Sequence, residues 1–504
     1  MATAATAMIT VAGTSATAAP LTDTSSLTGA VTAAGITEHL EALQSIATTN
    51  CGTRASGTPG YGASLDYIES LLESAGYEVT RQDFTFDAFD ELATPVFERV
   101  SPTPQSYVPS EDFYTAEYSG SGDVTASVQA VDVVEPTSVA STSSSGCEAA
   151  DFSGFSAGNI ALLQRGTCDF VVKAENAEQA GAVGVIIYNE GTLGVPDRND
   201  TLNPTLGVAA DVAIPVVGTS YAIGDQLVDL ARAGNVEVRL QTATRIRHDV
   251  PTQNLIAETP TGRDNQTVMA GAHLDSVAEG PGIEDNGTGS AALLEIALRL
   301  AGPGNEPRNT VRFAWWGAEE AGLIGSQRYV DSLSRPQRND IDLYLNFDMI
   351  GSPNYGRFIY DGDGSAFGLT GPNGSEAIEA VFESYFASQS LASLPTAFDR
   401  RSDYDAFISA GIPAGGLFTG AEDIKSTEEA ELFGGTAGVA FDPCYHQACD
   451  TIDNVSEQAL EEMSDATAHA ILTFAMANAS VKNNGQGAAN PSTGGNGFGH
   501  FDGR

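Results

Sequence analysis

Three short apolar runs between residues 268 and 347 each lead to ionisable side chains, and this pattern constrains the fold more than any other feature of the chain. Val268-Met269-Ala270-Gly271-Ala272 leads into His273, Val311-Arg312-Phe313-Ala314-Trp315-Trp316 towards Glu319 and Glu320, and Leu343-Tyr344-Leu345-Asn346-Phe347 into Asp348. Runs this short, rich in branched and aromatic residues, read as buried strands. The apolar spacing between them predicts helices over 289–300 and 320–333. Strand, helix, strand, helix, strand is the order of a parallel sheet with both faces covered. Ligands bind such sheets beyond the carboxyl ends of the strands, and that is where these side chains emerge.

The 504 residues are too many for one core. Residues 1–35, rich in Ala, Thr and Ser, are expected to lack fixed structure. Within them, Met1 to Leu21 resembles a secretory signal in its small-residue Ala16-Thr17-Ala18-Ala19 ending, but it lacks the positive start. Residues 36–101 carry two amphipathic helices and a strand, the first part of an α/β domain. From 102 to 247 Ser, Thr and Gly rise and short β runs dominate, which reads as a separate β-rich domain inserted into the first. The α/β domain resumes over 248–480, with Asn254-Leu255-Ile256-Ala257 as its returning strand, and residues 481–504 read as a tail.

A net charge of -43, with only Lys173, Lys425 and Lys482 as lysines, argues against nucleic acid or anionic membrane as partner. No run is long and apolar enough to span a bilayer. The acidity fits either a soluble exported protein or one adapted to high salt, where screening removes self-repulsion. Cys444 with Cys449 and Cys147 with Cys168 are plausible pairs, leaving Cys51 odd, which suits an oxidising compartment. A thiolate zinc site competes weakly, since no CxxC pair exists.

His273, Asp285, Glu320 and Asp348, with His446 from a later loop, supply enough donors for two divalent ions. One ion would take His273 and Asp348, the other Glu320 and His446, and Asp285 would span both. Imidazole and carboxylate donors point to zinc, with cobalt or manganese as substitutes. Asp275 is placed to accept the other N–H of His273 and fix its tautomer. Glu319, beside a ligand but not one itself, is placed to move a proton from water to a leaving amine. Taken singly, each residue has an ordinary reading: Glu-Glu as favourable charge at a helix start, Asp-Asn-Gly as a turn. Their coincidence at successive strand ends outweighs those readings. His39, His248, His469 and His500 lack such surroundings and read as structural or solvated.

Together these residues resemble the co-catalytic zinc aminopeptidases of metallopeptidase family 28, of aminopeptidase S and Y type. The matching motifs are Gly271-Ala272-His273-Leu274-Asp275-Ser276, Asp285-Asn286-Gly287-Thr288-Gly289, Gly317-Ala318-Glu319-Glu320-Ala321-Gly322, Asn346-Phe347-Asp348-Met349-Ile350-Gly351, Arg401-Ser402-Asp403 and Cys444-Tyr445-His446-Gln447-Ala448-Cys449. The resemblance covers residues 36–100 and 250–478. It implies an α/β/α sandwich with a mixed, mainly parallel central sheet and two Zn2+ held by His273, Asp285, Glu320, Asp348 and His446. It further implies Glu319 as general base, Tyr445 as hydrogen-bond donor to the developing oxyanion, a Cys444–Cys449 disulfide, and Arg401 at the substrate end of the pocket. Gly146-Cys147, Ile160 to Phe170 and Lys173-Ala174-Glu175-Asn176-Ala177 resemble a protease-associated domain, which implies a module beside the active-site mouth.

The expectation is a secreted or periplasmic, monomeric enzyme that removes N-terminal residues from peptides with a free amino group. Its attacking water would be shared by the two ions and activated by Glu319. Met349 and Phe418 would line an apolar pocket suited to Leu, Met or Phe. The rivals are a metallo-carboxypeptidase of the same superfamily, for which Arg400 and Arg401 offer cationic groups, and a receptor-like binding protein without catalysis. A glutaminyl cyclase fits less well, since one zinc serves those relatives.

Overall fold

A computed structural model describes residues 22–193, 198–207, 210–234, 236–302 and 304–483. The signal-like stretch to Leu21 and nearly all of the tail lie outside them. In one eight-stranded sheet the three expected strands, Arg263–His273, Asn309–Trp316 and Ile341–Phe347, sit together with Ala414–Phe418 as parallel neighbours. Antiparallel strands flank them: Thr244–Glu258 and Glu78–Glu91 on one side, Phe358–Tyr360 on the other, with Leu394–Thr396 as the last strand. The sheet is mixed, with a parallel centre.

Strand alternation sends successive side chains to opposite faces. Val268, Ala270 and Ala272, with Val311, Phe313, Trp315, Leu343, Leu345 and Phe347, fill one core layer under the helices Ala33–Thr49, Pro59–Ala75, Gly289–Leu300 and Glu457–Ala475. Met269, Ala314, Trp316 and Tyr344 fill the other, where Tyr404 and Phe407 of the helix Tyr404–Ser409 pack. Both faces are buried, which is why these strands are continuously apolar instead of half polar.

Glu78–Glu91 and Thr244–Glu258 pair over most of their length and run on as a two-stranded stalk to the second sheet. That sheet is drawn from residues between Val96 and Thr242 and has eight strands, so it starts earlier than the shift in composition at 102. The helices Phe170–Gln179 and Tyr221–Arg232 pack on it. Cys147 and Cys168 form a disulfide, and the buried Lys173 ammonium donates to the Ser145 carbonyl beside it at 2.5 Å.

Two expectations are corrected. Residues 22–35 are folded: Leu27 and Val31 are fully buried in the catalytic core, and Thr24 Oγ1 lies 2.8 Å from His469 Nδ1. The surrounding Ala, Thr and Ser hid two docking residues that only the distant helix Glu457–Ala475 makes intelligible. The helix expected over 320–333 begins instead at Ile324. The backbone N–H groups of Gly322 and Leu323 both donate to the Glu319 carbonyl, closing a turn with Leu323 and Gly322 at positive φ. That turn aims the two glutamates at the sheet edge.

Candidate metal centre

His273 ends its strand, Asp348 follows the next one over, and Glu319 and Glu320 occupy the turn after Asn309–Trp316. Asp285 lies in the loop entering the helix Gly289–Leu300, where the Asp285–Asn286 peptide is cis. His446 arrives in a loop closed by the Cys444–Cys449 disulfide. His273 Nε2 is 3.2 Å from Asp285 Oδ1 and 3.2 Å from Asp348 Oδ1. His446 Nε2 is 3.1 Å from Asp285 Oδ2 and 3.0 Å from Glu320 Oε2. Asp285 therefore presents one oxygen to each histidine. Donors bound at 2.0–2.1 Å around a tetrahedral zinc stand about 3.3 Å apart, so both groups are spaced to hold such an ion. Glu319 is within the same cluster, its donor atoms within 4.8 Å of those of His273 and Asp348.

The cluster is charged, with His273, Asp285 and Glu319 buried and Glu320, Asp348 and His446 partly exposed. Burial works against an imidazolium at either histidine, but the surrounding carboxylates, Asp348 and Glu319 around His273 and Glu320 and Asp285 around His446, hold both well above the ordinary histidine range. Burial raises the Glu320 carboxyl, with Asp285 adding to it and His446 opposing. Tyr445 stacks on His446 with centroids 3.8 Å apart, and burial pushes its phenol up.

The support around the ligands was only partly foreseen. Asp275 was expected to accept the other N–H of His273: its carbonyl lies 3.1 Å from Nδ1, while its carboxylate Oδ1, 3.7 Å from the same nitrogen, accepts the Glu319 backbone N–H at 3.3 Å. Arg401, expected at the substrate end of the pocket, forms an ion pair with Glu422 at 2.8 Å and donates to the Tyr445 hydroxyl at 3.2 Å. Arg400 is 3.5 Å from Asp405. Met349 is buried directly after Asp348, and Phe418 packs against Phe358 at the end of its strand.

Several residues escaped sequence reasoning. Arg54, fully buried, donates to the carbonyls of Leu274, Pro281 and Gly282, and burial lowers its guanidinium to about 10 despite Asp450 and Asp275. Asp450 accepts from the backbone N–H groups of Glu284 at 2.8 Å and Asp285 at 3.0 Å. Asn286 donates to the Phe347 carbonyl at 2.9 Å and accepts from Met349 N at 3.1 Å, tying the Asp285 loop to the Asp348 strand. A basic residue in a Gly-rich loop of so acidic a chain was the available signal for Arg54. Asn286 stood inside the Asp285-Asn286-Gly287 motif without a role assigned to it, and Asp450 carried no signal.

Residues 254–471 match Peptidase family M28, and residues 128–227 match the PA domain. An aminopeptidase of Pseudomonas aeruginosa is 50% identical over 436 residues, covering 86% of this chain and 80% of that protein. Among solved structures, an aminopeptidase from Aneurinibacillus sp. strain AM-1 gives a TM-score of 0.68 at 26% identity, covering 89% of this chain and 95% of that one. The zinc aminopeptidase BSAP from Bacillus subtilis gives 0.59 at 25% identity, covering 88% and 94%. Fold, family match and zinc-aminopeptidase neighbours together define a zinc-dependent exopeptidase. The chain belongs to peptidase family M28, carries a PA domain inserted in its catalytic domain, and is an enzyme of the aminopeptidase type.

Proposed function

We propose that the chain is a secreted or periplasmic di-zinc aminopeptidase, acting as a monomer, that removes large apolar N-terminal residues from peptides. The observation that carries this reading is Asp285, whose two oxygens face His273 and His446 separately at 3.2 and 3.1 Å. His273 and Asp348 would hold one ion, Glu320 and His446 the other, and Asp285 both. Bound there, zinc supplies Lewis acidity for a water and for the scissile carbonyl.

The chain's own groups do the rest. Glu319 takes the proton of the attacking water and returns it to the departing amine. Its backbone is anchored on Asp275. Tyr445 donates to the oxygen that gains charge. Because the Arg401 guanidinium already donates to the phenol oxygen, the phenol O–H remains available for that hydrogen bond. The substrate ammonium is balanced by Glu319 and Asp348, and Met349 and Phe418 give the first side chain an apolar wall. Arg401 and Arg400 each have a carboxylate partner, which leaves a carboxypeptidase's terminal carboxylate without a committed cation. The two disulfides support an oxidising compartment.

The test compares leucine amide with its N-acetylated form, with and without chelator, alongside metal analysis. Chelator-sensitive cleavage of the free amine alone, with two zinc per chain, is expected. Cleavage of the blocked form sinks the aminopeptidase reading, and full activity with one ion sinks the two-ion reading.

A further inference from the structure

Lys425 is one of only three lysines in a chain of net charge -43, and it is buried. Its Nζ donates to two carbonyls, Asn354 O at 3.1 Å and Tyr355 O at 2.8 Å. Three rings surround it, with centroids 5.9 Å away for Tyr355, 5.9 Å for Phe433 and 5.5 Å for Phe441. An ammonium has three N–H groups, so two serve the carbonyls and one is left to the ring faces. A methionine would fill this space without desolvating a cation. What the ammonium adds is direction: ring packing tolerates sliding, whereas hydrogen bonds to fixed carbonyls do not.

Lys425 belongs to a loop, residues 421–442, whose arms are tied by backbone hydrogen bonds. Asp442 N donates to Ala421 O at 2.7 Å, Phe441 N to Asp423 O at 3.0 Å, and Lys425 N to Val439 O at 3.0 Å. Asn354 grips the loop from outside. Its backbone N donates to Phe441 O at 2.9 Å, and its side-chain amide donates to Thr436 O at 3.0 Å and accepts from Thr436 N at 2.8 Å. One end of the loop follows the strand Ala414–Phe418. The other ends at Asp442, whose Oδ1 accepts the Cys444 N–H at 2.8 Å on the way to Tyr445 and His446. Phe441 lies so close to the chain after Phe418 that a Cβ on Gly420 would collide with its ring. The Phe358 ring is 5.3 Å from that of Phe441, 5.8 Å from Phe433 and 6.3 Å from Phe418. Ammonium, rings and Phe418 thus form one continuous path of contacts.

We infer that Lys425 is a positioning residue for the apolar wall that meets the first side chain of the substrate. It locks the 421–442 loop onto Asn354 and Tyr355, and Phe441 and Phe358 pass that register on to Phe418. This rests on the reading of Phe418 as pocket wall given above. Lys425 itself meets no substrate atom; it sets where the rings stand, and so which side chains the pocket holds well. One methylene in an apolar pocket changes specificity by about 10- to 200-fold, so a displaced wall penalises large side chains most.

The experiment compares kcat/KM for leucine amide and alanine amide, using zinc-loaded full-length protein well below the melting temperature of each variant. Lys425→Met is expected to lower the leucine-to-alanine ratio by about 10-fold, with zinc content unchanged. Lys173→Met removes a second buried ammonium, in the other sheet's domain, and is expected to leave the ratio within about twofold. Phe441→Leu breaks the path between the ammonium and Phe418 and is expected to lower the same ratio, which decides the matter should Lys425→Met not fold. An unchanged ratio in Lys425→Met or in Phe441→Leu overturns the inference. So does an equal fall in Lys173→Met, the mark of a general loss of rigidity. Wild-type protein that does not favour leucine amide overturns the large-apolar reading of the pocket instead, and the variants' ratios relative to wild type still decide the role of Lys425.

Discussion

Arg54 joins the segments that carry two of the proposed ligands, and replacing it should disable the candidate centre without touching either. Its guanidinium donates to the carbonyl of Leu274, directly after His273, and to those of Pro281 and Gly282, just before Asp285. In Arg54→Met the side chain keeps its bulk, but three buried carbonyls lose a charged donor. Hydrogen bonds to charged groups contribute about 1.5–3 kcal/mol each, so three would sum to roughly 4–9 kcal/mol. Part of that is offset because the variant no longer desolvates a fully buried cation, so about 3–5 kcal/mol is the working figure. For a domain of this size each kcal/mol moves the melting temperature by about 2–4 °C, which gives a fall on the order of 10 °C. The assay is thermal unfolding with zinc analysis of the same sample. Arg54→Lys keeps a cation but cannot span three acceptors, and should fall between wild type and Arg54→Met. An Arg54→Met protein melting within about 2 °C of wild type, with its full zinc content, would refute the reasoning.

Glu319→Gln should lower kcat by about 10²- to 10⁴-fold while zinc content is retained, because the proton carrier is lost and no ligand is; metal analysis beside steady-state kinetics checks both. Tyr445→Phe should lower kcat by about 10²- to 10³-fold with little change in the binding of a non-hydrolysed substrate analogue. The Asp465 carboxyl, on the helix Glu457–Ala475 near Glu461, is raised to about 7 by burial, and one of its oxygens is buried with no hydrogen-bond partner among the described residues. A raised acid keeps its proton in the folded state but loses it when unfolded, so its cost develops from about pH 4 and is complete above pH 7. Asp465→Asn should therefore raise the melting temperature by about 2 °C at pH 8, after allowance for its partial exposure, and leave it unchanged at pH 4.

The amino-acid order alone determined the layered architecture and pointed to the candidate metal-holding side chains that the fold brings together. Short continuous apolar runs such as Val268 to Ala272, bounded by turn residues, fit strands buried on both faces, and a parallel strand releases its last side chain at one edge of the sheet. His273, the Glu319-Glu320 pair and Asp348 were legible because local periodicity fixes where a strand stops. The second domain was legible as a shift in composition, but the membership of Val96–Ser101 in its sheet was not, since the partner strand Glu237–Thr242 lies far along the chain.

Only the tertiary structure decided how the ligands are held. Arg54, Asp450 and Ser402 act on backbone or side-chain atoms far away in sequence: Arg54 Nε and the Pro281 carbonyl are 227 residues apart, and Ser402 and Asp348 are 54 apart. No local rule reports such contacts, because a buried donor is placed by whichever acceptor the folded core leaves unpaired. Asp275 shows the same division. Its nearness to His273 was evident from the order of residues, but which of its oxygens meets the imidazole depended on Glu319 presenting its backbone N–H from the turn after the neighbouring strand.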